Sequence, residues 1–373
     1  MSLPAPEPSA PGRSHHADAR PARLTVAWLA AGVGAVAVAT VLGLALGPVR
    51  LNPAGVAVEL LNLLPGVHIH SGLSTQEVAI VTQLRLPRVA LGLIVGGMLA
   101  LAGGCYQGVF RNPLADPYLL GVAAGAGLGA TVAVALGLAS QVAVGTGLMP
   151  AFAFAGALLG VFLAYGLSSA PTLRRHGAEA PGTRTSATLL LAGVAVVAFF
   201  TAIQTYVLQR HVETIREVYS FILGSLVTTG WSEVRLALPY ALVAAVVVLA
   251  HRRELDVFSV GDEEAASLGL HPQRSRLILL VAASLGTAAA VAVSGLIAFV
   301  GLIVPHVIRL VAGTSYRVIL PLSMLFGGAF LVACDLLARL VLAPSEVPIG
   351  VVTAFLGAPF FMLVLRTAKR VGL

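Results

Sequence analysis

Long apolar stretches follow one another along almost the whole chain, and the polar segments between them are mostly short. A helix needs about 20 mainly apolar residues to cross the roughly 30 Å hydrocarbon layer of a membrane. We predict a membrane span in each of ten segments: 24–47, 88–108, 117–138, 146–168, 187–208, 234–250, 277–294, 296–310, 318–342 and 349–367. The pattern therefore predicts an all-α membrane protein with about ten transmembrane helices.

The eighth segment, 296–310, differs from the others in length and composition. At about 1.5 Å per residue it is too short to cross a membrane. It also contains Pro305, which removes a backbone donor from a helix interior. Irregular backbone is tolerated at membrane depth only where neighbouring protein shields it. We therefore predict a short or broken helix near 296–310.

Composition and charge support a membrane protein and give it an orientation. The chain is 58% hydrophobic and 10% charged, too little charge to cover the surface of a soluble domain of 373 residues. If the N-terminus is inside, 16 of the 23 Lys and Arg residues fall on the inner side. The positive-inside rule then predicts that both termini are cytoplasmic. The net charge of +7 is attributed to anchoring against anionic lipid, and no nucleic-acid partner is expected.

The chain divides into a tail and one membrane domain. Residues 1–22 are rich in Pro, Ala, Ser and Arg, and we predict a disordered cytoplasmic tail there. Residues 23–373 form the predicted transmembrane domain, with a polar cytoplasmic segment at 251–276. Cys105 and Cys334 fall inside spans, where we expect buried free thiols rather than a disulfide or a metal pair.

Several kinds of chemistry are excluded or disfavoured by the residues present. The single lysine, Lys369, rules out the phosphate-binding pattern G-x-x-x-x-G-K-[ST]. Ser294 and His306 leave an intramembrane serine protease as a minor alternative. An ion-coupled secondary transporter would need acidic groups within the membrane, for which Asp116 and Asp335 are the candidates.

The segment 251–276 contains a miniature helix with its own start and stop signals. An acidic N-terminus suits the helix dipole, with Asp262 as a candidate N-cap, and a glycine followed by proline ends the helix. The residues involved, including a small apolar face, are Asp262, Glu263, Glu264, Ala265, Leu268 and Gly269. So short a helix is unstable alone. The residues leave open whether the membrane bundle or a partner protein holds it.

Three of the seven basic residues on the predicted outer side lie at the ends of spans, against the charge rule. Arg85 and Arg88 flank Pro87, and Arg339 has a candidate partner in Asp335, one helical turn earlier. Their charges fit either snorkelling at the membrane interface or a docking surface for an acidic protein. On the inner side, the loop that contains Asn112 and Leu114 fits either a plain turn or a gate.

Four segments together resemble the FecCD family, the permease subunits of bacterial ABC importers for iron siderophores, haem and cobalamin. They are LRLPR at 84–88, QGVFRNPLADPYLLGVAAGAGLG at 107–129, SGLIAFVGLIVPHVIRLVAGTSYRVILPLS at 294–323 and ACDLLARLVLAPSEVPIGVVTAFLGAPFF at 333–361. The resemblance extends from about residue 24 to the C-terminus. It implies two inverted five-helix halves in each permease.

The resemblance also implies partners and roles for particular residues. It implies a homodimer in the bacterial inner membrane with two cytoplasmic ATPase subunits, which use ATP and magnesium, and one external substrate-binding protein. No cofactor or metal is expected in this chain. Residues 262–269 would couple to the ATPase. The binding protein would be held by Arg85, Arg88 and Arg339. The gate would contain Asn112 and Leu114, and the pathway would be lined by Thr201, Gln204 and Thr205. An iron chelate is the expected substrate, with cobalamin as the alternative.

Overall fold

The chain is built of α-helices joined by short connections, as seen in a computed structural model that describes residues 24–139, 142–143, 146–168, 183–227 and 230–368. The predicted tail at 1–22 lies outside these residues. The helices are α1 Val26–Ala45, α2 Pro53–Leu61, α3 Thr75–Ala79, α4 Leu86–Val109, α5 Val122–Ala135, α6 Leu148–Ser168, α7 Thr183–Arg210, α8 Ile215–Ile222, α9 Ser232–Ala250, α10 Arg252–Phe258, α11 Asp262–Ser267, α12 Pro272–Ser294, α13 Val300–Ala312, α14 Tyr316–Leu340 and α15 Ile349–Ala368. Two-residue strands, β1 Val142–Ala143 and β2 Thr146–Gly147, form a small antiparallel hairpin before α6.

Each of the ten predicted spans corresponds to one helix, which confirms the all-α membrane fold. Within the described residues, seven helices are long and apolar enough to cross a membrane, and three further apolar helices are shorter. The short ones lie in α5, α13 and α15. The predicted short eighth span is α13, with 13 residues and Pro305 in its interior. A π-helical turn, Ile80–Arg85, leads directly into α4 and was not predicted.

The third predicted span, 117–138, is not helical in one piece from its first residue. A 3₁₀ turn, Pro117–Leu120, comes first, and Gly121 then takes a left-handed conformation with φ 81° before α5 begins. α13 also begins after a left-handed residue, Phe299, with φ 70°. The Tyr118 hydroxyl connects the segments that lead into α5 and α13. It donates to the Ile297 carbonyl at 2.9 Å and accepts from the Ile297 amide at 3.0 Å.

The helices of the N-terminal half and those of the C-terminal half make corresponding contacts. If α1, α4, α5, α6 and α7 are paired in order with α9, α12, α13, α14 and α15, contacts in one half recur in the other. Thus α4 packs on α13 and α14, whereas α12 packs on α5 and α6. α1 packs on α14, and its counterpart contact joins α9 to α6 through the Phe154 and Tyr240 rings, 5.0 Å apart. This is the contact pattern expected of two five-helix repeats.

Glycine allows the central helices to approach backbone to backbone. A Cβ atom on Gly103 of α4 would lie 1.8 Å from the Gly301 carbonyl oxygen of α13. On α5, a Cβ atom on Gly125 would lie 2.1 Å from the Gly156 carbonyl oxygen of α6. Membrane helices associate through such small residues because lipid provides no hydrophobic drive between helices. The fold therefore has a closely packed centre, and its charged side chains gather at the two ends.

Candidate functional site

The inner end of the bundle, defined here as the end that carries α11, contains the predicted miniature helix. α11 spans Asp262–Ser267, and its N-cap is Gly261 rather than the predicted Asp262. Gly261 has a φ of 153°, a backbone conformation that residues with a side chain rarely adopt, which favours glycine there. The Asp262 side chain instead accepts from Arg276 at 2.6 and 2.9 Å and also from Arg111. Ion pairs with two other elements therefore replace the expected cap.

The predicted end of α11 is confirmed. Gly269 is left-handed, with φ 82°, and its amide donates to the Ala266 carbonyl at 2.9 Å. The Leu270 amide donates to the Ala265 carbonyl at 3.1 Å, which completes a Schellman motif. This pair of bonds needs a residue with positive φ after the helix, and glycine supplies it without a steric penalty.

The two apolar residues of α11 face opposite ways. Ala265 is fully buried against the bundle, whereas 71% of Leu268 is exposed. Glu263 and Glu264 are exposed beside it. The bundle therefore holds one side of the helix, and an apolar side chain with an acidic first turn remains on the other side.

The inner loop, defined as residues 110–116, lies beside α11. Asn112 Oδ1 accepts from the Leu114 amide at 2.9 Å, and the Asn112 carbonyl accepts from the Ala115 amide at 3.0 Å. Both Asn112 and Leu114 are half-buried. Arg111 is left-handed, with φ 50°, a conformation that costs an arginine roughly 1–2 kcal/mol. The plain turn predicted for these residues is present, and a role as a gate stays a prediction.

Asp116 closes the inner loop. Its carboxylate accepts from the Tyr118 amide at 2.8 Å and so caps the 3₁₀ turn. Burial raises the pKa of Asp116 to about 6, against a smaller lowering by that hydrogen bond. The same capping bond holds Tyr118 where it reaches Ile297, so Asp116 supports the junction between α5 and α13.

The outer end of the bundle carries the arginine cluster, defined as Arg85, Arg88 and Arg339. Arg85 is 8% exposed and Arg339 is 4% exposed. Arg85 donates to the carbonyls of Leu44 at 2.6 Å and Ala45 at 3.2 Å. Arg339 donates to the carbonyls of Gly43 at 3.1 Å and Leu46 at 3.3 Å. The two guanidinium groups therefore satisfy the carbonyls that the C-terminus of α1 leaves free.

The third arginine binds two carboxylates. Arg88 reaches Asp335 at 2.7 Å and Glu346 at 2.8 Å. Asp335 also pairs with Arg339 at 3.0 Å, which confirms the predicted pair one helical turn apart. The Asp335 side chain is 3% exposed, the Arg88 side chain 14% and the Glu346 side chain 37%.

The expectation that all three arginines face an external partner needs correction. In this conformation the guanidinium groups of Arg85 and Arg339 are buried and bonded within the chain, so neither is free for a docking contact. Snorkelling at the interface does not describe them either, because their charged ends point inward. Arg88 and Glu346 instead border an outer cleft of about 420 Å³, which α8 lines with Arg216 and Tyr219.

The predicted pathway residues on α7 fall on two faces. Gln204 is half-buried and donates to Thr131 Oγ1 on α5 at 3.1 Å. Thr201 and Thr205 are exposed, and the Thr205 hydroxyl donates to the Thr201 carbonyl at 2.8 Å. The same helix exposes Leu191, Phe199 and Tyr206. A pathway role for these polar residues stays a prediction.

The remaining candidate residues have structural roles. The Ser294 hydroxyl donates to the Ala290 carbonyl at 2.9 Å, and the His306 ring meets Phe360 edge-on, so the described contacts do not join them as a catalytic pair. Cys105 and Cys334 are buried and free, as predicted. Asp335 is held by two guanidinium groups and is therefore a poor carrier for a coupling ion.

Sequence reasoning missed the residues that connect α11 to the rest of the protein. Arg111 and Asp262 are separated by 151 positions, and no local pattern relates them. Arg276 and Asp262 lie 14 positions apart in a polar segment with several other charges. The sequence shows acidic and basic residues near α11, but it does not show which of them form ion pairs.

The fold and its two polar ends define a multispan helical membrane protein. A family model described as the FecCD transport family matches residues 35–367, so the chain belongs to that family, whose members are permeases of ABC importers. A cobalamin import system permease of Halobacterium salinarum is 42% identical over 287 residues, which cover 77% of this chain and 73% of that protein. An iron(3+)-hydroxamate import system permease of Bacillus subtilis is 35% identical over 360 residues, which cover 96% and 90%.

A solved structure agrees with this assignment. It shows an inward-facing conformation of a transporter described as a metal-chelate type ABC transporter, and the comparison gives a TM-score of 0.73 at 26% identity. The match covers 91% of this chain and 98% of that one. The resemblance stated from sequence motifs is thus confirmed at the level of family and fold.

Proposed function

We propose that this chain is the membrane-spanning subunit of an ATP-driven importer that translocates an iron chelate, a siderophore complex or haem, delivered by an external binding protein. Two copies would form the conduit in the bacterial inner membrane, with both termini in the cytoplasm. ATP and magnesium would be used by two separate ATPase subunits and would not be bound by this chain. A cobalamin importer is the second candidate, because a relative named for cobalamin import shares 42% identity.

The observation that carries the proposal is the exposed half of α11. Its buried side, through Ala265, and its ion pairs fix the helix to the bundle, while Leu268 remains 71% exposed at a polar end of the molecule. An exposed leucine beside acidic residues suits a partner surface with an apolar pocket and basic rim. A permease of an ABC importer that lacks a phosphate-binding loop would take its energy from such a partner.

A pull-down of the ATPase by the permease tests this assignment. Leu268→Asp should abolish association, because it places a charge in an apolar pocket, and should leave the folding of the permease unchanged, since the side chain is exposed. Val260→Asp is the matched control: Val260 is 69% exposed in the same segment but precedes α11. Undiminished association of the Leu268→Asp variant, or equal loss in both variants, would contradict docking through α11.

The external partner is proposed to meet the outer cleft beside Arg88 and Glu346. Titration of the isolated binding protein with a ferric siderophore, haem and cobalamin identifies the substrate. Tight binding of either iron chelate supports the first candidate, and selective binding of cobalamin supports the second. Binding of none of the three would remove the substrate proposal and leave the family assignment intact.

A further inference from the structure

Asp262 of α11 is shared by guanidinium groups from two different elements. Arg276 of α12 makes two hydrogen bonds to it, at 2.6 and 2.9 Å, and its side chain is only 10% exposed. The Arg276 guanidinium also lies 5.4 Å from the centroid of the Phe258 ring. Arg111, which follows α4, forms the second ion pair and is 33% exposed. One arginine thus ties α11 to the bundle, and the other ties it to the inner loop.

The backbone at Arg111 forms the joint between α4 and the inner loop. Its amide donates to the Gly108 carbonyl at 3.3 Å at the end of the helix, and its φ of 50° turns the chain away from the helix axis. The next residue, Asn112, starts the turn that positions Leu114. A displacement of the Arg111 side chain therefore acts on the first residue of the turn.

The same joint is connected to α13. The Asn112 amide donates to the Gln107 carbonyl at 3.1 Å. The Gln107 side chain accepts from Arg309 at 3.2 Å and donates to the Gly301 carbonyl at 3.4 Å. Asp262 is thus connected to α13 through its ion pair with Arg111, the Arg111–Asn112 peptide bond, and the hydrogen bonds of Asn112 and Gln107. Energetic coupling between distant sites can travel through such packed and bonded elements.

We propose that Arg111 is a positioning residue that transmits movement of α11 to the inner loop, so that its ion pair with Asp262 couples ATPase closure to the cytoplasmic opening of the pathway. The inference rests on the proposed function and adds to it the contact through which the motion passes. Arg276 holds Asp262 against α12 throughout. Loss of the Arg111 contact alone leaves α11 attached to the bundle but disconnected from the inner loop.

The test uses the complete importer in proteoliposomes, with Arg111→Gln in the permease. Removal of the charge should leave ATP hydrolysis with loaded binding protein within about twofold of the wild type, while substrate transported per ATP falls about tenfold, in the usual range of an allosteric coupling. Arg111→Lys restores a cation and should recover most of the substrate transported per ATP hydrolysed. Arg317→Gln is the matched control, since Arg317 pairs with Asp256 of α10 at 3.3 Å at the inner end, and its described ion pair does not involve α11.

A distance measurement separates transmission from a general loss of stability. Spin labels at the exposed positions 113 and 253, in a background with both cysteines replaced by alanine, report on the inner loop relative to α10. ATP should change this distance in the wild type and the Lys variant and leave it unchanged in the Gln variant. If Arg111→Gln does not fold, Arg111→Gly carries the same prediction, because glycine suits the φ of 50°, removes the ion pair and leaves the Asp262–Arg276 pair in place.

Two outcomes would overturn the inference. Wild-type stoichiometry and a wild-type distance change in Arg111→Gln would remove Arg111 from the coupling route and leave the proposed function standing. Equal uncoupling in Arg317→Gln would show a general charge effect at the inner end. Absence of ATP-driven uptake by the wild-type complex is a distinct result, because it contradicts the proposed function itself.

Discussion

At the scale of single residues, the outer arginines show how buried charge is stabilised in this protein. Arg339 is 4% exposed, yet it has one carboxylate and two backbone carbonyls as partners. A buried charge with its partners in place is tolerated, whereas removal of one partner leaves the others desolvated and unsatisfied. The C-terminus of α1 therefore depends on side chains from α14 and from the turn before α4.

Arg339→Met should destabilise the isolated permease. The substitution preserves length but leaves the Gly43 and Leu46 carbonyls without donors, and breaking a buried pair typically costs about 3–5 kcal/mol. Thermal unfolding in detergent, without any partner, measures the effect. Arg216→Met, at an exposed position of α8, should leave the midpoint unchanged. An unchanged midpoint for Arg339→Met together with weaker docking of the external protein would restore the docking role.

Asp116 should give the permease a dependence of stability on pH. Burial raises its pKa from 3.8 to about 6 in the folded protein, so the folded state binds this proton more tightly than the unfolded state. Stability should therefore rise as pH falls from 8 through 6, and the gain is complete only below the unfolded pKa. Asp116→Asn keeps an acceptor for the Tyr118 amide without a charge, and at pH 8 it should be more stable by roughly 2–3 kcal/mol.

Thermal midpoints of both proteins between pH 5 and 8 test this expectation. The difference between wild type and Asp116→Asn should shrink as the pH falls. Asp116→Ala serves as the control for the hydrogen bond, because it removes both the charge and the acceptor. A difference between wild type and the Asn variant that is constant across the pH range would show that Asp116 is already ionised at little cost in the fold.

At the scale of helices, backbone contact at glycine decides how closely the central helices pack. Gly103→Ala places a methyl group 1.8 Å from the Gly301 carbonyl oxygen, and backbone on both sides leaves no flexible atom to move. α4 and α13 must then separate, and overpacking of this kind typically costs about 1–3 kcal/mol or more. We expect a lower thermal midpoint for the variant.

The matched control for this substitution is Gly34→Ala in α1. Within the part of the chain that the structure describes, no atom lies within 4 Å of the added carbon, and the position is exposed. Alanine in a helix interior is favoured over glycine by roughly 0.5–1 kcal/mol, so the midpoint should hold or rise. Similar midpoints for the two variants would mean that α4 and α13 are not in direct backbone contact.

The sequence predicted the helices well because apolar length is a local property. All ten spans were recognised from runs of apolar residues, and the Asp335–Arg339 pair was recognised from its spacing on one helix face. The break at Gly121 was not predicted, since it depends on a bond between Tyr118 and Ile297, which are 179 positions apart. The carbonyl partners of Arg339, nearly 300 positions away, were likewise invisible to spacing arguments.

At the scale of the whole molecule, the tightly packed centre separates two polar ends with different properties. The outer end buries its arginines and leaves a cleft, whereas the inner end exposes Leu268 on a helix held by ion pairs. Between these ends, the helices of the two halves of the chain make corresponding contacts. An alternating-access movement needs two such ends joined by stiff elements, and the inner loop, α5 and α13 provide a connection.

Uptake by proteoliposomes that contain the permease, its ATPase and its external binding protein tests the central claim most directly. The account predicts that a labelled iron chelate, or cobalamin, accumulates only when ATP and the binding protein are both supplied. Accumulation should persist when an ionophore collapses the proton and sodium gradients. Uptake that needs no ATP and disappears with the ion gradient would contradict the account and identify a secondary transporter.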